Sequence, residues 1–432
     1  MTPDMKRIAE IKKPLRGEIH VPGDKSIGHR AVILASVAQG SSRLFNLSGG
    51  EDNLRTVDAF KEMGVRIAPE GEFVSIDGQG WEALSAPAKT IDCGNSGTTM
   101  RLLSGVLAGR PFSSQLDGDA SLRNRPMQRI IDPLSRMGAE IRAARGNGLA
   151  PLQIRGTKLK AIRYQMPIAS AQVKSAILLA GLQADGVTTL EELQKSRDHT
   201  ELMIRGFGGE LAVNCKAVSL KGGQPLCGRD VVIPGDISSA AFFLVAAATI
   251  AKSDVLICGV GCNPTRAGVL EVLRRMGADI QLLNKRVETG EVVADVKVIG
   301  GPLKAVHVGP ELAAGTIDEY PILAVAAALA DGVTDFSGVE ELRYKESDRI
   351  ATMADGLRKL GVNVEERKDG MKIRGRKRLS GASLQSFGDH RVAMSLAIAG
   401  LSSEGGVEID DVRCVDTSFP KFFDLLDKVC CS

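Results

Sequence analysis

Six stretches of this chain repeat one plan, and that self-similarity constrains its fold more than any single motif. Ala- and Leu-rich apolar segments recur at 25–39, 97–109, 171–183, 238–251, 318–330 and 390–401. Each has the length and composition of a buried helix. Their starts fall roughly 70 residues apart, beyond the periods of small solenoid repeats. Most are followed by a glycine turn and a short apolar strand, as in "QGSSRLFNL", "ADGVTTLEEL" and "ADGVTDFSGV". A second helix then ends in a shared way: "FKEMGVRI", "LSRMGAEI", "IRGFGGEL", "LRRMGADI" and "LRKLGVNV". Gly64, Gly138, Gly208, Gly277 and Gly361 are predicted to stop these helices, and the apolar residue that follows to start a strand. The sixth copy ends in "SFPKFFDLLDKV".

A chain of 432 residues exceeds one ordinary hydrophobic core, so two domains are expected, with three repeats in each. The predicted fold class is α/β, each domain having helices inside and sheets around them. "HVPGD" and "VIPGD" precede the first and fourth repeats, and Pro-Gly suits a passage of the chain between lobes. The lobes are then expected at 23–235 and at 1–22 with 236–432.

The 55 basic and 52 acidic groups nearly cancel, leaving a net charge of +3. A nucleic-acid polyanion as main partner calls for a broader basic excess. The longest apolar run, "AAFFLVAAATIA", is too short to cross a bilayer. The opening "MTPDMKRIAEIKKPLRG" lacks the apolar stretch of a secretory signal. No membrane partner and a reducing cytosolic location are expected. The eight cysteines, Cys93, Cys215, Cys227, Cys258, Cys262, Cys414, Cys430 and Cys431, are scattered. No second Cys or His pair follows Cys258 and Cys262 at zinc spacing, so idle thiols and no metal centre are expected.

Most first helices begin with polar groups: Asp24-Lys25-Ser26, Asn95-Ser96-Gly97-Thr98, Ser170-Ala171-Gln172, Asp236-Ile237-Ser238, Asp318-Glu319 and Asp389-His390-Arg391. Second helices start similarly, with Arg125, with Ser196 and Arg197, and with Lys345, Glu346 and Arg349. Taken singly, each reads equally as a capped helix with solvated charge. Recurrence at matching places in the repeats favours a shared purpose. If equivalent helix ends converge, they gather Lys25, Arg30, Arg101, Arg125, Arg197, Lys345, Arg349 and Arg391, with the carboxylates Asp318 and Glu346. Such a set suits a ligand bearing phosphate and carboxylate, because helix N-termini and arginine forks both favour them. "PGDKS" is not a P-loop, since Asp24 stands where that motif needs glycine. No dinucleotide fingerprint and no G-x-S-x-G elbow is present, so cofactor-free chemistry is expected.

Nine motifs in order, "GDKSIGHR", "GNSGTTMR", "RNRPM", "SAQVKSA", "SRDHTE", "IDEYP", "YKESDR", "GDHR" and "TSFP", give the chain a close resemblance to the 5-enolpyruvylshikimate-3-phosphate synthase family of enolpyruvyl transferases. The resemblance covers essentially the whole chain and implies a two-lobed, inside-out α/β barrel of six βαβαββ-type repeats, three per lobe around a pseudo-threefold axis, with the lobes closing on substrate. It also implies the reaction: shikimate 3-phosphate and phosphoenolpyruvate give an enolpyruvyl ether and phosphate, in chorismate and aromatic amino-acid biosynthesis. A monomer working on these two small molecules is expected.

By resemblance, Lys25, Asp318 and Glu346 are the proton carriers. Lys25, Ser26, Arg30, Ser170, Ala171, Gln172, Ser196, Arg197, Asp318 and Lys345 would line the shikimate 3-phosphate site. Lys25, Gly97, Arg125, Gln172, Arg349 and Arg391 would hold phosphoenolpyruvate. Three positions depart from the better-known branch. Ala171 replaces a serine, Thr417 a lysine, and Leu102 a proline, a pattern that resembles the second, bacterial class. The rival enolpyruvyl transferase acting on UDP-N-acetylglucosamine would carry "KN" at the opening motif and a loop cysteine. Here Lys25-Ser26 and a cysteine-free "DGDASLRNRPMQR" stand instead. A non-catalytic polyanion-binding repeat protein would bind nucleic acid with strong salt dependence, which the balanced charge disfavours.

Overall fold

The computed structural model describes residues 4–214 and 216–431; residues 1–3 of the expected first lobe, Cys215 and Ser432 lie outside them. The chain forms two compact units. One comprises Met1–Pro22, Pro234–Val287 and Val292–Ser432; the other comprises Gly23–Ile233 with Glu288–Glu291.

Each unit is built inside out. In the second, the helices Lys25–Val37, Gly97–Leu107 and Ala171–Gly181 are buried along most of their length, with three four-stranded sheets about them. In the first, Ile237–Thr249, Tyr320–Leu329 and His390–Gly400 take the same place, within two four-stranded sheets and one of three strands. Helices apolar on every side have no solvent face and must sit inside. Small residues let them meet closely: a Cβ on Gly105 would stand 2.2 Å from the Ala176 carbonyl oxygen of the neighbouring helix.

The sheets share one construction. In the second repeat, Ile91–Asp92 runs parallel to Ser113–Asp117, with a buried helix between them in sequence. The hairpin Glu140–Ala143 and Leu152–Arg155 then completes the sheet antiparallel. The second helices end as predicted. Gly64, Gly138, Gly208, Gly277 and Gly361 all have φ between 80° and 103°, the left-handed region that favours glycine. The residue after each glycine donates its N–H back to the last turn, as Val65 does to Phe60 and Ala278 to Leu273, which is the Schellman closure.

Two repeats take their opening strand from a distant part of the chain. Gln39–Phe45 pairs in parallel with Val231–Val232, and Asp254–Gly261 with Arg16–His20. The chain therefore passes from one unit to the other immediately after each borrowed strand, at Pro22–Gly23 and at Ile233–Pro234. Gly23 is required there, since a Cβ would lie 1.9 Å from the Asn46 carbonyl oxygen.

One helix start differs from expectation. The fifth buried helix begins at Tyr320, not Asp318, with Glu319 at its cap making no side-chain cap bond. Pro321 in the first turn fixes the start, and Asp318 stays in the turn before it. Among the described residues no single helix is long and apolar enough to cross a membrane.

Candidate active site

The second unit gathers its cations on the starts of its buried helices. Asp24 caps the first of these by accepting from the Ile27 N–H at 2.9 Å, so Lys25 becomes the first helical residue. The Lys25 Nζ donates to Asp52 Oδ2 at 2.9 Å, and the two side chains remain 17% and 10% exposed. Below them His29 is fully buried with Nδ1 2.7 Å from Thr56 Oγ1. Burial, then Lys25 and Arg30, hold its imidazole well below the usual range, so it adds no charge.

Arg30 is locked by three partners: Thr200 Oγ1 at 2.6 Å, the Ser26 carbonyl at 2.7 Å and Ser175 Oγ at 2.7 Å. Burial draws its guanidinium down to about 10, against the pull of Glu201 and Asp24, with Arg197 adding to the decrease. It stays charged at neutral pH.

A second cluster surrounds Gly97. A Cβ there would meet Arg101 Nη1 at 2.7 Å and Arg125 Nη1 at 3.3 Å, so two guanidinium groups lie against bare backbone. Arg101 donates to Gln172 Oε1 at 2.8 Å, Gln172 Nε2 donates to Thr98 Oγ1 at 2.9 Å, and Arg125 donates to Asn95 Oδ1 at 2.6 Å. Gln172 thereby joins the starts of two helices. Ser170 caps the third by accepting from the Val173 N–H. Ala171 follows it without a hydroxyl. Leu102 lies wholly in the core.

The "KSRDHTE" segment is held from beneath by a buried ion cluster. Lys174, wholly buried, donates to Glu192 Oε2 at 2.9 Å and to the Ser196 carbonyl at 3.3 Å, and lies 2.7 Å from Glu201 Oε1. Burial raises the Glu201 carboxyl despite Lys174. Glu192 Oε1 accepts both the N–H and the hydroxyl of Ser196. Both donors of Ser196 therefore point inward.

The first unit centres on one guanidinium. Arg349, 2% exposed, donates through Nε to Asp389 Oδ2 at 2.9 Å and through Nη2 to Glu346 Oε2 at 2.6 Å; Nη1 lies 3.7 Å from Asp318 Oδ1. Burial acts against the ionised Asp389, but Arg349 overcomes it and holds the carboxyl below its usual range. Lys345 Nζ is 4.0 Å from Asp318 Oδ1 and a quarter exposed. Desolvation pulls its ammonium below the usual range, with Asp318 opposing. Arg391 donates to the Asp318 carbonyl at 2.9 Å and lies 3.5 Å from Glu319. Arg266 and Ser238 hold Glu319 from below, the first at 2.6 Å. Asp318 and Glu346 keep 17% and 19% of their side chains exposed, so both remain reachable.

The structure thus brings together Lys25 with Ser26 and Arg30, then Gly97 with Arg125 and Gln172, then Ser170 with Ala171, in the second unit. In the first it brings together Asp318, Lys345, Glu346, Arg349 and Arg391. Thr417 ends a short helix at Arg413–Thr417. Supporting residues to which the sequence reading gave no role are Asp52, Thr200, Ser175, Lys174, Glu192, Arg266 and the buried Glu319. Only Glu319, beside Asp318 in "IDEYP", carried a local signal. The rest are long-range partners. A groove of about 720 Å³, lined by Lys89, Ser113, Arg142 and Arg155 among others, lies along one sheet of the second unit and shares no residue with these clusters.

Comparison with known proteins identifies the family. Residues 9–426 match the family model described as EPSP synthase (3-phosphoshikimate 1-carboxyvinyltransferase). A 3-phosphoshikimate 1-carboxyvinyltransferase from Geobacter sp. (strain M21) is 52% identical over 417 residues, 96% of this chain and 97% of the relative. One from Pelotomaculum thermopropionicum is 52% identical over 96% of both chains. The solved EPSP synthase of Acinetobacter baumannii superposes with a TM-score of 0.89 at 44% identity, covering 98% of each chain. The family model, the relatives and the superposed fold show that the chain belongs to the EPSP synthase (3-phosphoshikimate 1-carboxyvinyltransferase) family, the enolpyruvyl-transferring enzymes of the shikimate pathway.

Proposed function

We propose that the chain transfers the enolpyruvyl group of phosphoenolpyruvate to the 5-hydroxyl of shikimate 3-phosphate in the cytosol, as a monomer. The observation that carries this reading is the division of charge. One set of side chains is locked deep as a scaffold, while Lys25, Asp318 and Glu346 keep between 17% and 19% exposure.

The chemistry needs those three groups. The 5-hydroxyl gives up its proton as its oxygen attacks C2 of phosphoenolpyruvate, and C3 takes a proton to become a methyl group. The tetrahedral adduct then expels phosphate and loses one methyl proton, restoring the double bond. Asp318 accepts the hydroxyl proton. Glu346 exchanges the proton at the methylene carbon, and Lys25 contacts both substrates and assists protonation. Positioned carriers of this kind supply part of the rate, and fixed cations around the departing phosphate supply more.

Binding divides accordingly. Ser26 and Arg30 take the carboxylate end of shikimate 3-phosphate and Lys345 its ring. Ser170, Gln172 and Arg197 take its phosphate. Ala171 lends backbone only, which makes the Arg197 fork the stronger contact, and Ser196 serves by anchoring that segment through Glu192. Gly97, Arg125, Gln172, Arg349 and Arg391 receive phosphoenolpyruvate.

A coupled phosphate assay tests the reading. Release is expected only when both substrates are present; folded protein that releases none with both would overturn it.

A further inference from the structure

Two exposed strand residues and one thiol from far along the chain meet on the outer face of a sheet in the first unit. Strand Arg16–His20 runs parallel to Asp254–Gly261, with Ile19 opposite Ile257 and His20 opposite Cys258. Ile19 and Ile257 are buried, so strand alternation turns Glu18, His20 and Cys258 together to the other face. One ligand atom from each lies within 4.8 Å of the other two. The sequence reading treated Cys258 as idle because no partner pair stood at zinc spacing. Parallel pairing supplies the partners instead.

We propose that Glu18, His20 and Cys258 form a Zn²⁺ site that keeps one coordination position open to water. Thiolate, imidazole and carboxylate together suit Zn²⁺, whereas Mg²⁺ and Ca²⁺ prefer all-oxygen shells. Zinc–ligand bonds of about 2.0–2.3 Å need the three groups to close in only slightly. Glu18 and His20 are exposed, so their side chains turn at little cost. Binding replaces the thiol proton, which leaves to solvent. Asp295, next to the trio, is already committed: Oδ1 accepts the Gly259 N–H at 2.7 Å, Oδ2 accepts from Asn284 at 2.8 Å, and Arg286 stands 3.8 Å away. It steadies the turn after Cys258 and offsets the charge of Arg286.

The position gives the site a consequence. Gly259, adjacent to Cys258, accepts the Gly235 N–H at 2.8 Å, and Pro22, two residues past His20, accepts the Asp236 N–H at 2.9 Å. The two strands joined by the ion are thus those tied to the residues where the chain leaves and re-enters this unit. Zinc bound here stiffens both.

The test is a Zn²⁺ titration of the full, reduced chain against a chromogenic chelator, with Co²⁺ absorption as a second readout. One equivalent is expected. His20→Ala and Cys258→Ser should each weaken it at least about tenfold, as loss of even an outer partner of a metal ligand does. Glu18→Gln should weaken it less. The thiolate-to-Co²⁺ band should vanish in Cys258→Ser, and amide exchange in 16–22 and 254–261 should slow with zinc. Cys430→Ser and Cys431→Ser, near the C-terminus, should leave binding unchanged. Affinity unaltered by His20→Ala would overturn the site, as would loss of binding in the Cys430 and Cys431 variants. His20 is exposed and His20→Ala keeps the fold, so it decides the matter even where Cys258→Ser does not fold.

Discussion

Arg349 Nη2 donates to Glu346 Oε2 at 2.6 Å, while the same guanidinium is clamped on Asp389. Glu346 lies in the bend just before the helix that Arg349 opens, and the two differ in burial, 19% against 2% of the side chain. Substitution of Glu346 should act on turnover, and substitution of Arg349 on stability as well as on phosphoenolpyruvate. Glu346→Ala is expected to cut turnover by about 10²–10⁴-fold, the span of positioned acid–base groups, and to shift the melting temperature little. Arg349→Ala leaves Asp389 buried and unpaired, which costs about 3–5 kcal/mol. Steady-state phosphate release beside urea unfolding checks both; a stable, active Arg349→Ala enzyme would be inconsistent with this scaffold.

Lys25 and Asp52 form a partly exposed pair at 2.9 Å. Lys25→Met should lose about 10²–10³-fold in kcat, as removal of one transition-state donor does, and, because it leaves the buried Asp52 without its cation, cost more than the ~1 kcal/mol of an exposed pair. Asp52→Asn should reduce kcat less. If Asp52 acts only by placing the ammonium, Lys25→Met combined with Asp52→Asn should be no slower than Lys25→Met alone.

At Gly97 an added methyl meets only the ends of two arginine side chains, at 2.7 and 3.3 Å. Gly97→Ala should therefore fold normally, with any backbone gain of about 0.5–1 kcal/mol for alanine in a helix. Its cost should fall on phosphoenolpyruvate, whose KM rises several-fold while that for shikimate 3-phosphate stays near the parent value. Separate KM determinations decide it; equal increases in both would point to a wider disturbance.

Lys174 neutralises two buried carboxylates, Glu192 and Glu201. Lys174→Met strands both and should cost about 3–5 kcal/mol. Because Glu192 holds both donors of Ser196, the milder Glu192→Gln should chiefly loosen the segment carrying Arg197. The expected result is a raised KM for shikimate 3-phosphate at nearly constant kcat.

Desolvation holds the Lys345 ammonium below its usual range. A lowered pKa means the charge is lost earlier, as pH rises, than for an ordinary lysine. The KM for shikimate 3-phosphate should therefore climb on the alkaline side. Lys345→Arg, which stays protonated, should flatten that limb. A profile identical in the two enzymes would remove Lys345 from substrate binding.

Much of this architecture is written locally. Helices of Ala and Leu with no polar side, capped by Asp24, Ser96, Ser170, Asp236 and Asp389, are fixed by near neighbours, and so are the glycines at φ near 90° that end the second helices. Residue types at the helix starts are equally local, which is why Lys25, Gly97, Arg125, Asp318 and Glu346 could be named as candidates from the chain alone. What folding decided is which of those charges are scaffold and which stay reachable. Asp52 under Lys25, Asp389 under Arg349, Lys174 under Ser196 and Cys258 beside His20 are long-range pairings. Each depends on strand register or helix packing that no short window of sequence contains.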